Sequence, residues 1–206
     1  IIYPDTYSEE FTYDNEGNKL SFTNKNNVQV DYTYDCLNRK IGTNYPTMGL
    51  SESYAYDNGD NMTGFTDMRG LTTNYTYDFA GRVTSITDPL PFTTSESNTY
   101  DARGNKATHT DRNGNLTTYS YDDLDQLISV QDHLNHTESY TYDGNGNQLT
   151  FTDKRSNTVS YIYDDLDRLI QLDDAIGNSE YYGYDAVSNQ VSYTDQLGNV
   201  TQYSYD

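Results

Sequence analysis

The sequence predicts an all-β fold: an antiparallel β-hairpin repeat array with a 21-residue period, coiled into a spiral or solenoid-like sheet. Three observations carry that prediction. Tyr-Asp pairs recur at Tyr13-Asp14, Tyr34-Asp35, Tyr56-Asp57, Tyr77-Asp78, Tyr100-Asp101, Tyr121-Asp122, Tyr142-Asp143, Tyr163-Asp164, Tyr184-Asp185 and Tyr205-Asp206, spaced 21, 22, 21 and 23 residues and then 21 five times. Self-similarity at such a period marks a repeat architecture. A second aromatic residue stands two positions before most of these tyrosines, at Phe11, Tyr32, Tyr54, Tyr75, Tyr119, Tyr140, Tyr161, Tyr182 and Tyr203, with Asn98 once in that register; a spacing of two puts both side chains on one face of a strand. Helical periodicity appears nowhere.

The second strand of each unit is read from a midway acidic residue, at Asp67, Asp88, Asp111, Asp132, Asp153, Asp174 and Asp195. Two positions before it stand Phe65, Ile86, His109, Val130, Phe151, Leu172 and Tyr193, which give this strand one buried face as well. Between strands lie segments of the form Asp-x-x-Gly-Asn, such as Asp14 to Asn18 and Asp195 to Asn199. An Asp accepts from backbone N–H groups at a turn start, and Gly takes the left-handed conformation that a hairpin loop requires. Two strands of about six residues and two loops of about four fill the repeat.

The units alternate with a longer period near 42: some carry Gly-Asn after the Tyr-Asp pair (Gly17-Asn18, Gly104-Asn105, Gly146-Asn147), others Leu-x-Arg (Leu37 to Arg39, Leu166 to Arg168, with Leu124 to Gln126 close). Residues 11–206 form about nine units, or roughly 18 to 20 strands, whose twist coils the sheet. Residues 1–10 read as a partial repeat or linker, and the whole reads as part of a longer chain.

Composition sets further bounds. Leu, Ile, Val and Phe number 36 of 206 and the formal net charge is -20, values that usually leave a chain disordered. Against this stand 23 tyrosines, which bury large rings while keeping the hydroxyl wet or partnered, so a tyrosine ladder is expected in place of a leucine core. The 32 Asp and Glu against 12 Lys and Arg disfavour nucleic acid and anionic lipid surfaces as partners. No apolar run approaches the roughly 20 residues of a membrane-spanning helix, so no membrane insertion is expected. Cys36 is the single cysteine and reads as an incidental turn residue.

No cofactor or metal site is expected. His133 and His136 lie in a turn beside Asp132, and His109 occupies a register that Phe65, Phe151 and Tyr193 hold elsewhere, as a packing substitute. The run from Asp143 to Asn147 imitates the start of a calcium loop without its following Gly and closing Glu. Carboxylate groups such as Asp122-Asp123-Asp125 and Asp164-Asp165-Asp167 recur at equivalent positions, whereas an active site needs one place that separates two pKa values. No enzyme is expected, and the Tyr-Asp residues themselves read as structural. The Asn-x-Ser/Thr acceptors at Asn61, Asn74, Asn115, Asn135 and Asn199 are expected by accident in so Asn- and Thr-rich a repeat.

The stretches Tyr-Asp-Asp-Leu-Asp-Arg-Leu-Ile at 163–170 and Thr-Asp-Arg-Asn-Gly-Asn-Leu-Thr-Thr-Tyr-Ser-Tyr-Asp at 110–122 resemble RHS/YD repeats, over residues 11–206. The resemblance implies a long β-sheet spiralling into a hollow shell, as in bacterial Rhs, wall-associated and toxin-complex proteins and in animal teneurins. In the toxin branches the shell encloses a toxic domain freed by a self-cleaving segment. No such segment is read here, Asp88-Pro89-Leu90-Pro91 being an irregular repeat turn. The expected function is a non-catalytic scaffold segment of a secreted or cell-surface protein, forming a shell wall or extracellular fibre. Its expected partners are the rest of the parent chain or identical copies, through sheet edges. A glycan- or receptor-binding surface and the encapsulating shell of a polymorphic toxin are the alternatives.

Overall fold

The computed structural model describes residues 8–89 and 95–206. Most of the expected partial repeat at 1–10, and Leu90 and Pro91 of the irregular turn, lie outside the described residues. The chain divides into two compact units, one reaching Asn98 and including Asp111–Gly114, the other made of Thr99–Thr110 and Asn115–Asp206. The first contains β1 (Glu10–Tyr13), β2 (Lys19–Thr23), β3 (Gln29–Tyr34), β4 (Lys40–Tyr45), β5 (Leu50–Tyr56), β6 (Met62–Thr66), β7 (Thr72–Tyr77), β8 (Val83–Thr87) and the start of β9 (Ser95–Tyr100). The second contains β10 (Lys106–Thr110), β11 (Leu116–Tyr121), β12 (Leu127–Gln131), β13 (Thr137–Tyr142), β14 (Gln148–Thr152), β15 (Thr158–Tyr163), β16 (Leu169–Asp173), β17 (Ser179–Tyr184), β18 (Gln190–Thr194) and β19 (Val200–Gln202). No helix occurs among the described residues. Within each unit consecutive strands pair antiparallel in chain order, so the all-β hairpin array expected from the repeat is the observed fold.

The loops are longer than expected, five residues rather than four, and nearly all share one conformation. In the loop Asp35 to Arg39 the Asp35 N–H donates to the Arg39 carbonyl at 3.0 Å, and the Asn38 N–H donates back to the Asp35 carbonyl at 3.0 Å. The fourth residue then needs a positive φ. Gly fills that position at Gly17, Gly70, Gly146 and Gly198, but Asn38, Asp60, Asp125, Asp167, Ser156 and Ser188 adopt it too, with φ between 59° and 69°. Sequence reading credited only Gly with this conformation; Asn and Asp tolerate it because their short polar side chains bond locally.

The strands place their large side chains directly opposite one another. Tyr54 faces Phe65, Tyr140 faces Phe151 and Tyr182 faces Tyr193, with ring centroids 5.3, 5.3 and 5.4 Å apart. The alternate hairpins oppose Tyr75 to Ile86, Tyr119 to Val130 and Tyr161 to Leu172. The 42-residue alternation seen in the loops is thus repeated in the packing, aromatic pair after aliphatic pair. Each such pair contributes roughly 0.2–1 kcal/mol.

The tyrosine core expected from composition is not a core. Among the described residues no hydrophobic side chain is fully buried, and the single buried polar one is Thr43, 4% exposed. The rings lie half-covered by their cross-strand partners, because no second layer packs on them among the described residues. His109 follows the same rule, half-buried in β10. Thr43 faces Tyr32, where other hairpins carry Ile86, Val130 or Leu172, and its hydroxyl oxygen is buried without a hydrogen-bond partner.

Two outcomes follow for thermal or denaturant melts. Thr43→Val keeps the shape and removes the unpartnered hydroxyl, and should stabilise by about 1 kcal/mol. At the fourth loop position Ser156 has φ 66° and Gly198 φ 81°, and a Cβ on Gly198 would meet nothing within 4 Å. Ser156→Gly should therefore stabilise and Gly198→Ala destabilise, each by about 1 kcal/mol, through backbone conformation alone.

Candidate functional site

The side chains with distinctive chemistry gather at the sheet end that carries the Tyr-Asp loops. There, within each unit, odd-numbered strands meet the next even-numbered ones through a register shift: Thr12 faces Ser21 but Tyr13 faces Lys19, so Leu20 is an extra residue of β2, as Ile41 is of β4. Such bulges bend the strand and interrupt the ladder on its far side. The β2–β3 ladder registers only Ser21 to Thr23 against Gln29 to Asp31, and stops short of Lys19. The Tyr34 hydroxyl bridges this gap, donating to the Lys19 carbonyl at 3.0 Å.

The same bond recurs from Tyr56 to Lys40 at 3.1 Å, Tyr77 to Met62 at 2.8 Å, Tyr142 to Leu127 at 2.9 Å, Tyr184 to Leu169 at 3.0 Å and Tyr205 to Gln190 at 2.9 Å. Where Asn98 stands in the strand register, its amide donates to the Val83 carbonyl at 3.3 Å. Tyr121 and Tyr163 occupy the same position without such a bond among the described residues, and Tyr13, in the first described strand, is exposed.

Each aspartate of the pair organises the loop that follows it. Asp35 Oδ1 accepts from the Leu37 and Arg39 N–H groups at 2.9 and 3.0 Å, and Oδ2 accepts from Arg39 Nε at 2.8 Å. Asp14, Asp57, Asp78, Asp101, Asp143, Asp164 and Asp185 make the equivalent bonds, with Asn18, Asn61, Arg82, Asn105, Asn147, Arg168 and Asn189 as the fifth residue. Asp122 holds Leu124 and Gln126 through their N–H groups. The midway loops repeat this arrangement around Asp67, Asp132, Asp153, Asp174 and Asp195.

The fifth residue, whose alternation between Asn and Arg is visible in the sequence, also joins neighbouring loops. Arg39 Nη1 donates to the Asp57 carbonyl at 2.8 Å and to Asp60 Oδ1 at 2.7 Å. Arg168 Nη1 reaches the Asp185 carbonyl at 2.9 Å. Each guanidinium lies 4.8 Å from the ring of the next pair tyrosine, Tyr56 or Tyr184. In the alternate loops Asn18 reaches Asn38, Asn105 reaches Asp125 and Asn147 reaches Asp167, at 2.7–2.8 Å. The alternation of Asn and Arg at this position was the available signal.

These bonds set the acid–base character. The fifth-residue side chains Asn18, Asn61, Asn147 and Arg168 are the main cause holding Asp14, Asp57, Asp143 and Asp164 below the usual carboxylate range, and at Asp35 it is the Arg39 N–H. Burial pushes Asp132 up, but bonds from Lys154 and from the His136 and Leu134 N–H groups outweigh it and bring it to about 2. Tyr182 is pushed up to about 12, by burial first and then by its hydrogen bond to Glu180. All are loop or strand contacts that repeat along the chain. His133 and His136 lie in the loop around Asp132, with His136 Nδ1 3.5 Å from Asp132 Oδ2. Among the described residues no three His, Cys, Asp or Glu side chains form a metal-holding group.

The tyrosine bond is testable internally. Tyr142→Phe leaves the Leu127 carbonyl without its donor and should cost about 1–2 kcal/mol, whereas Tyr163→Phe should be nearly neutral in the same melts. For pH, Asp14, Asp35, Asp57, Asp132, Asp143 and Asp164 have folded pKa values below their unfolded value of about 3.9. Their stabilisation is complete above that value and is lost as pH falls through the folded values, because the unfolded chain binds more protons. Circular dichroism should show structure retained at pH 5–7 and an acid transition between about pH 4 and pH 2.

With the geometry established, comparison with known proteins is informative. No curated protein matches the chain by sequence. Among solved structures, the crystal structure of TcdB2-TccC3-TEV superposes with a TM-score of 0.67 at 18% identity, covering 90% of this chain. The TcdB2-TccC3 structure without its hypervariable C-terminal region gives 0.50 at 17% identity over 93%. At these identities the likeness is one of fold. The chain spans only 11% and 12% of those two chains. The Teneurin YD-shell family profile matches residues 63–206, more than half of the sequence. A chain whose hairpins are closed by Tyr-Asp pairs at a 21-residue period, and whose greater part matches that profile, belongs to the Teneurin YD-shell family.

Proposed function

We propose that this segment is a non-catalytic wall element of a β-sheet shell in a secreted or cell-surface protein, residues 11–206 being an array of about nine hairpin units that coils with its parent chain. The observation that carries this reading is the repetition of the polar chemistry. The Tyr-to-carbonyl bond recurs six times, at Tyr34, Tyr56, Tyr77, Tyr142, Tyr184 and Tyr205, and the aspartate bonds recur in both kinds of loop. Carboxylates tied to backbone N–H groups hold loops and are poor general bases, since their proton affinity is depressed. The Tyr-Asp residues are thus structural. The partners that fit this role are neighbouring segments of the parent chain, met along strand edges and loop rims, and a shell of this kind would surround a cargo encoded elsewhere in the parent protein.

Electron microscopy of the parent protein tests the proposal. A closed hollow particle with these repeats in its wall is the expected result. An elongated filament would replace the shell by a fibre, and turnover of any substrate abolished by Asp143→Asn without loss of fold would overturn the non-catalytic reading.

A further inference from the structure

The second unit holds two gaps between consecutive Tyr-Asp loops at equivalent repeat positions, one with Arg103, Ala107, Ser120 and Gln126, the other with Asn145, Leu149, Ile162 and Arg168 in their place. In the gap between loops 101–105 and 122–126, Arg103 lies across the acidic loop: Nη2 donates to Asp123 Oδ1 at 2.9 Å, and Nη1 donates to the Asp122 carbonyl at 3.1 Å and to Asp125 Oδ1 at 3.4 Å. Two repeats later the same register holds Asn145 in place of Arg103, with Asp164, Asp165 and Asp167 in place of Asp122, Asp123 and Asp125. Asn145 is too short to repeat the contact. Its amide reaches Asp167 Oδ1 at 2.8 Å, and Asp165 has no partner among the described residues.

This second gap is a recess of about 350 Å³ lined by Leu149, Ile162 and Tyr163 and by Asp143, Asp165 and Asp167. Leu149 and Ile162 are 36% and 42% exposed, an apolar strip beside the unpartnered carboxylate of Asp165, while Asp143 and Asp167 accept from loop N–H and amide groups. That combination matches an arginine: the stem lies on aliphatic surface while the planar guanidinium meets a carboxylate and a backbone carbonyl. Net charge of -20 adds a general attraction for basic segments.

We propose that the recess between loops 143–147 and 164–168 is a docking site for an arginine-bearing segment of another polypeptide, which seats its guanidinium on Asp165 as Arg103 does on Asp123. The inference is independent of the shell reading, since it concerns one rim position rather than the array.

The test is a titration of the isotopically labelled chain with the peptide acetyl-Gly-Arg-Gly-amide, followed by amide chemical shifts. Shifts are expected at Gly146, Leu149, Ile162 and Asp165, with millimolar affinity and weaker binding of the lysine counterpart. Asp165→Asn should weaken binding about fivefold. Asn145→Arg, which copies Arg103, should abolish it, while Asp123→Asn should leave it unchanged. Shifts spread over all acidic loops, binding that survives Asp165→Asn, or no shifts at millimolar peptide would each overturn the proposal.

Discussion

A carboxylate at the start of each loop is the interaction on which this architecture depends. A five-residue loop with a left-handed fourth residue leaves the N–H groups of its third and fifth residues directed inward, and an aspartate at the first position satisfies both with one oxygen. Leu37 and Arg39 on Asp35, and Leu166 and Arg168 on Asp164, show the arrangement. Without it the strands on either side would have no fixed register, and register decides which face carries the large side chains. The strong negative charge of the chain is largely a by-product: many of the aspartates that would otherwise promote disorder are committed to loop structure.

The tyrosine of the pair solves the problem that the loop creates. Closing the hairpin with an extra residue on the even strand removes a ladder rung from the next pairing, and an exposed carbonyl in a bend is a place where a sheet begins to fray. A phenol long enough to cross to the neighbouring strand supplies the missing donor, and its ring covers part of the gap. Phenylalanine would give the cover without the bond, and serine the donor without the reach. This accounts for Tyr rather than another aromatic residue at the six pairs where the bond forms.

Much of this was legible in the sequence because a spacing of 21 fixes strand and loop lengths together, and a spacing of two fixes the face. The opposition of Phe65, Val130 and Leu172 to tyrosines follows from the same arithmetic. The bulges were not legible: an extra residue such as Ile41 looks like any other strand residue until pairing is known. The contacts of Arg39 and Arg168 with the following loop were hidden for the same reason, since they join residues 17 to 21 positions apart that only register brings together. The recess at Asn145 was invisible until Arg103 showed what the equivalent gap accommodates. Composition misled in one respect, because the many tyrosines suggested an interior where the described residues have none.

A sheet whose described hydrophobic side chains are nowhere fully buried has no central mass to lose. Its cohesion lies between each hairpin and its immediate neighbours, as in other quasi-one-dimensional proteins, where total stability is close to a sum of local and nearest-neighbour contributions. Such a polymer tolerates duplication or deletion of one pair of units, because removing 42 residues restores the same junction it breaks. Growth by copying is then nearly neutral, and the length of such an array is not fixed by the needs of folding.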